Sequence, residues 1–394
     1  MKIIIFLILV ILIFEIVIFI LINRFKKKFQ WIVTKEDEYP LFSKNKLKNF
    51  YKNSFDPILG WDRKKNSSGR EFAKRITKFN IGQKGHRKNK KLKKSLASVY
   101  GDSFAFCRYV NDDKTWESFL EKKIKNNIFN FGVGNYGLDQ SFLKFVKKKD
   151  KNKIIIFNVV PETIARINSY WKHYREFGNI FAFKPIIKVI NKKKIRLIKI
   201  KIKKNFTENQ IHHQIDQIKK NDIYYKDKFF KDMYKIPYLI SFLSKFKKNA
   251  CIFFYLALND LSKNNLYLAK AHSVILEENI LDSHIMYNNE YYSSKLKNLI
   301  TFMNYHVSKK KKKMILIITP QLIDLKFKSI NHSINFYENL DENITCLDLT
   351  KDLLKLKNYK KFYLKDIYGG HLNERGNKLI SNLIYKKLKI KKIL

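Results

Sequence analysis

The chain has 394 residues, 45% of them apolar and 29% charged, enough to build one large or two modest cored domains and too apolar for a disordered chain. Lys and Arg number 81 against 34 Asp and Glu, a formal charge of +47, but only ten of the 81 are Arg. Lysine spread through an Ile-, Asn-, Phe- and Tyr-rich chain sets solubility and attraction to anionic surfaces, yet it lacks the arginine that bidentate phosphate and base recognition uses; no nucleic-acid partner is expected.

Residues 3–22, IIIFLILVILIFEIVIFILI, carry a single charge, Glu15. At 1.5 Å per residue they span roughly 30 Å, the thickness of the hydrocarbon core of a bilayer. The apolar run is too long for a signal peptide and no small-residue cleavage site follows it, so it reads as one uncleaved membrane anchor. The flank Arg24, Lys26, Lys27 and Lys28 favours a cytoplasmic C-terminal part by the positive-inside rule, a weak guide in a chain with lysine everywhere.

Residues 24–96 are basic and punctuated by turn residues, a juxtamembrane lead-in with short strands. Between 97 and 165 strands and helices alternate. Ser98–Tyr100, Ile128–Val133 and Lys153–Val160 read as strands, with helices from Thr115 to Lys125 and from Leu138 onward. This predicts a parallel sheet with helices on both faces, a flavodoxin-like three-layer α/β/α fold. Residues 166–310 break the pattern with aromatic and basic helical segments and a lysine-rich stretch at 192–204, read as a helical insertion. Alternation resumes over 311–394, with strands at Met314–Thr319 and Ile344–Leu349 and a last helix from about Asn373 to Leu388.

Cys107, Cys251 and Cys346 lie far apart with no CxxC or Cys/His ligand spacing, which argues against a disulfide framework and against a zinc site; neither metal nor cofactor is expected. Three other motifs carry chemistry together. Gly101-Asp102-Ser103 puts a serine directly after a buried strand, at the strand's carboxyl end. Gly132-Val133-Gly134-Asn135-Tyr136-Gly137 follows the next strand and allows a tight loop with N–H groups turned inward. Gly369-Gly370-His371 opens the final helix. Taken singly, the first is more often a helix cap, the second an ordinary strand-to-helix turn and the third a helix-capping or surface histidine.

In this order and spacing the three motifs resemble the blocks of the SGNH (GDSL-like) hydrolase superfamily, and Gly101–Gln140 resembles its membrane-associated members found near bacterial glycan genes. Leu59-Gly60-Trp61 and Gly85-His86-Arg87 fit that likeness more loosely. The resemblance covers about 97–165 and 311–394. It implies Ser103 as nucleophile, His371 as general base and then acid, and an oxyanion hole from the N–H groups of Ser103 and of the loop around Gly134 and Asn135. The implied activity is that of a membrane-anchored esterase or O-acyltransferase acting on O-acyl groups, acetyl for instance, of a glycan. The alternative is a degenerate member that binds a glycan or an envelope partner.

Three positions depart from the family pattern. The family carries Asp three residues before the His, where this chain has Tyr368; Asp366, two residues further upstream, is the available substitute, and without it the pair is a Ser–His dyad. The oxyanion-loop glycine falls near Asn135. After the third strand, where the family has an Asn donor, stands Pro161-Glu162-Thr163, and an ionised Glu162 would oppose an oxyanion unless it takes another role. Asn259-Asp260, inside the insertion, comes in the wrong chain order to replace that donor.

Overall fold

The computed structural model describes residues 1–87, 95–200, 202–366 and 368–393. They form two units. One comprises 1–48, 169–183 and 201–279; the other comprises 49–168, 184–200 and 280–394. The lead-in and the insertion expected from the sequence are therefore each shared between the two units.

The second unit is built on five parallel strands: β1 (Ala97–Gly101), β2 (Ile128–Asn130), β3 (Ile154–Val159), β4 (Lys313–Ile318) and β5 (Thr345–Asp348). Their order across the sheet is β2-β1-β3-β4-β5, the doubly wound flavodoxin-like order, whose reversal point lies between β1 and β3. The strands are apolar on both faces because helices cover both. Met314, Leu316 and Ile318 of β4 face one core, with α2 (Leu138–Lys148) and α3 (Glu290–Lys309). Ile315 and Ile317 face the other, with α1 (Trp116–Ile124), α4 (Ile330–Glu338) and α5 (Glu374–Ile390). On α5, Ile380, Ile384 and Leu388 recur at the four-residue spacing of one helix face; full burial of a side chain of this size contributes roughly 1.5–3 kcal/mol.

Caps fix where these helices begin. Thr115 accepts from Ser118 N–H ahead of α1, and Asn373 accepts from Gly376 N–H ahead of α5. The Ile128–Val133 strand expected from sequence ends as a strand at Asn130, yet Phe131 and Val133 still donate their N–H groups to Val99 O at 2.7 Å and Gly101 O at 3.0 Å, while the Asn130 side chain takes the N–H of Gly132 at 2.9 Å. The 166–310 segment, read as a helical insertion, contains an antiparallel ribbon, Ile186–Asn191 against Lys194–Ile198. Alternating β-branched residues on either side of a Lys192-Lys193 turn favour strands there, despite the lysines. A second ribbon, Ser67–Phe72 against Ile76–Ile81, comes from the lead-in.

The first unit holds the apolar helix Lys2–Lys26, which at 25 residues is long and apolar enough to cross a bilayer. Its Glu15 carboxylate accepts from the backbone N–H groups of Tyr238 (2.6 Å) and Leu239 (2.7 Å), the first turn of the helix Tyr238–Leu243. Past the apolar stretch, Arg24 and Lys28 hold Asp260 at 2.9 and 2.5 Å. The unit's aromatic core includes Trp171, stacked on Phe183 at 4.9 Å, and Phe229.

Candidate active site

The turn that carries Ser103 is set by two neighbours. A Cβ on Gly101 would stand 1.8 Å from the backbone oxygen of Asn158 on β3, so only glycine lets β1 end this close to β3. Asp102, fully buried, accepts from Phe104 N–H at 2.8 Å, from Val160 N–H at 3.0 Å and from Arg166 Nη1 at 3.2 Å. Burial pushes its carboxyl up and Arg166 opposes that. Ser103 then opens a single helical turn at the carboxyl end of β1, beside the point where the strand order reverses.

His371 arrives just before α5. Its Nε2 lies 2.8 Å from Ser103 Oγ, and its Nδ1 lies 2.9 Å from Asp366 Oδ2. The same carboxylate oxygen accepts the backbone N–H of His371 at 2.7 Å, and Oδ1 accepts that of Tyr368 at 2.7 Å. Burial alone would raise the Asp366 pKa, but the charge of His371 and these hydrogen bonds outweigh it and hold the carboxyl below the usual range. An ionised Asp366 only accepts, so it places the proton on Nδ1 and leaves Nε2 free to accept from the serine hydroxyl. The imidazole is held flat by Phe104, stacked at 5.0 Å, and edgewise by Tyr109 at 5.4 Å. The carboxylate two positions upstream of Tyr368 thus reaches the histidine by folding its own loop.

The 131–137 loop is held against the serine turn from both ends. Asn130 donates through Nδ2 to Ala105 O at 2.7 Å and to Glu117 at 3.0 Å, while its Oδ1 takes Gly132 N–H. A Cβ on Gly132 would fall 2.3 Å from Phe106 N, a contact only glycine permits. Further along, Trp61 Nε1 donates to Gly134 O at 3.2 Å, and Tyr136 donates its hydroxyl to Trp61 O. In a trans peptide the N–H points opposite the carbonyl, so a Gly134 oxygen tied to Trp61 aims the Asn135 N–H to the other side. Asn135 takes φ +68°, the left-handed region that Asn visits more readily than other residues with a Cβ. Ser103, Gly134, Asn135, Trp61, Arg63 and Arg108 all line one cavity of about 540 Å³, which residues of the Ser67–Ile81 ribbon also line.

Glu162 is buried and accepts from Arg166 Nη2 at 2.7 Å and from Gln321 Nε2 at 3.4 Å. It is engaged by an ion pair and is not among the residues lining the Ser103 cavity. Asp260 is in the other unit, paired with Arg24 and Lys28.

Sequence reasoning assigned no role to four supporting residues. Arg166 joins three loops through Asp102, Glu162 and the Tyr136 carbonyl (3.3 Å). Arg87, buried, donates to the carbonyls of Phe106, Cys107 and Val110 and to Asp112 at 2.7 Å, satisfying the backbone where the serine's helical turn ends. Asn130 and Glu117 complete the frame. Burial pushes the Glu117 carboxyl up to about 8, against a Cys107 thiol hydrogen bond that lowers it. The available signal was scarcity: in a chain that uses lysine almost everywhere, a retained arginine beside a motif marks a planar, multidentate role.

No family model and no curated protein matches the chain. Among solved structures it is similar to a G-D-S-L family protein from Desulfitobacterium hafniense DCB-2, at 11% identity and a TM-score of 0.33, over 74% of this chain and 99% of that one. Similarity at that level assigns neither chemistry nor substrate, and the functional reading rests on the site itself.

Proposed function

We propose that this protein is a membrane-anchored serine esterase or O-acyltransferase of the SGNH type, acting on O-acyl groups of a glycan through an acyl-enzyme on Ser103. The observation that carries the reading is the continuous relay from Asp366 through His371 to Ser103, with contacts of 2.9 and 2.8 Å. His371 Nε2 takes the hydroxyl proton as Ser103 Oγ bonds to the ester carbonyl carbon, and Asp366 stabilises the imidazolium. The N–H groups of Ser103 and Asn135 hold the oxyanion; one such donor is typically worth ~2.7–4 kcal/mol. Collapse breaks the ester C–O bond, His371 returns the proton to the departing alcohol, and the acyl group stays on Ser103. Water or a second hydroxyl, deprotonated by His371, then removes it. The sequence motifs support the SGNH assignment, the strand order agrees with it, and Lys2–Lys26 would supply the anchor.

The test is hydrolysis of an activated acetyl ester by the full-length protein in neutral detergent. Turnover should fall to background in Ser103→Ala and in His371→Ala. Turnover that survives in both would remove the catalytic reading and leave a glycan-binding protein with this fold.

A further inference from the structure

Beside the Ser103 cavity, and within the same unit, runs a groove of about 1250 Å³, larger than the few hundred to a thousand Å³ of a typical small-molecule pocket. Ten of its 22 lining residues are Lys or Arg and three are Asp, against 81 basic residues in the 394 of the chain. The basic share of the groove is therefore about twice that of a chain already rich in lysine, a local concentration on top of the diffuse charge.

The three carboxylates are already engaged. Asp56 holds Lys147, Asp62 holds Lys144 at 2.7 Å, and Asp150 accepts the Tyr100 hydroxyl at 2.6 Å. Lys52, Lys65 and Lys84 remain exposed along the groove. Deeper in, Lys148 is pushed down to about 8, first by burial and then by the neighbouring charges of Lys144 and Lys65. Cations crowded in this way gain from an added anion. Apolar surface lies beneath them, with Lys84 over the Phe129 ring at 4.9 Å and Lys148 over Phe131 at 5.3 Å.

Groove and cavity adjoin each other. Asn53, Ser54, Asp62, Arg63 and Lys64 line both. Arg63 stands at the junction, its guanidinium 3.7 Å from the Phe106 ring centre and 4.5 Å from that of Phe79.

We propose that this groove binds an extended acidic carbohydrate, bearing carboxylate or phosphate groups along its length, and leads it past Arg63 to Ser103; the delivery rests on the esterase or acyltransferase reading above. The volume of the groove favours a chain over a single small anion. Its shared wall with the serine cavity favours carbohydrate over nucleic acid, because acyl transfer there needs hydroxyls or their esters, which a sugar chain presents on successive residues.

The experiment uses the full-length protein in neutral detergent with fluorescently labelled polygalacturonate, neutral dextran of the same length and oligothymidylate of the same charge. Polygalacturonate should bind and dextran should not, with affinity falling steeply as salt rises. The combined variant Lys52→Ala, Lys65→Ala, Lys84→Ala should weaken polygalacturonate binding at least tenfold. The control Lys378→Ala, Lys386→Ala, Lys389→Ala, on exposed positions of α5, should change it less than twofold. Unchanged circular dichroism shows that either variant keeps its fold. Equal loss in both variants, or tighter binding of oligothymidylate than of polygalacturonate at the same groove, overturns the proposal. Acetyl-ester hydrolysis by the parent and by Ser103→Ala, run on the same preparations, separates the two claims. Serine-dependent hydrolysis without groove binding sinks the groove alone. Groove binding with hydrolysis that ignores Ser103 sinks the catalytic reading and the delivery step with it.

Discussion

A single oxygen of Asp366 accepts both the backbone N–H and the ring Nδ1 of His371, at 2.7 and 2.9 Å. The double contact fixes the imidazole in position and in tautomer at once. It also means that the carboxylate beside the imidazole comes from five residues upstream in the chain.

Replacing that acid tests the arrangement. Asp366→Asn keeps the side chain's shape but removes the charge and lets the amide donate, which favours the wrong imidazole tautomer. Turnover of an activated acetyl ester should fall about ten-thousandfold with KM little changed, by analogy with loss of the acid in a serine triad. A loss below tenfold would show that Ser103 and His371 work as a dyad.

Trp61 is the second lever. Trp61→Phe retains the ring beside Tyr136, 5.5 Å away, and loses only the N–H that holds the Gly134 carbonyl. One hydrogen bond of about 1 kcal/mol then stops orienting the 134–135 peptide. The expected result is a fall of about fivefold in kcat at constant KM, measured by steady-state kinetics. An increase in KM alone would place Trp61 in substrate binding.

The Arg166 junction predicts a stability effect with a diagnostic rescue. Arg166→Met leaves Asp102 and Glu162 buried without their cation, which should cost about 3–5 kcal/mol in urea unfolding. Adding Glu162→Gln removes one stranded charge and should restore part of that loss. Simple additivity of the two single changes would show that they do not interact.

The course of the chain was largely legible. The apolar runs behind β1, β3 and β4, the order of the serine, loop and histidine motifs, and Asp366 as the nearby carboxylate all follow from local pattern. Arg166, Asn130 and Trp61 do not, because each acts through a side-chain bond to a distant loop. Asn130 reaches Ala105, and Trp61 reaches Gly134. No spacing rule connects such pairs. The Ile186–Ile198 ribbon was obscured by its lysines, which suit an exposed two-stranded edge as well as a helix.

Glu117 gives the frame a pH signature. Its folded pKa of about 8 lies above the ordinary 4.5, so the folded state retains a proton that the unfolded chain releases. The stabilisation is full below pH 4.5 and is lost as pH rises through 8, at up to about 1.4 kcal/mol per unit in between. The thermal midpoint of the parent should therefore fall more steeply over that range than that of Glu117→Gln. Parallel profiles would contradict it.

The most direct measurement is covalent. Full-length protein is treated with a fluorophosphonate, which traps a serine activated by a general base, and the adduct is located by peptide mass spectrometry. The account predicts one labelled residue, Ser103, with labelling abolished in His371→Ala and slowed in Asp366→Asn. Labelling that is absent from Ser103, or that persists unchanged without His371, would contradict it.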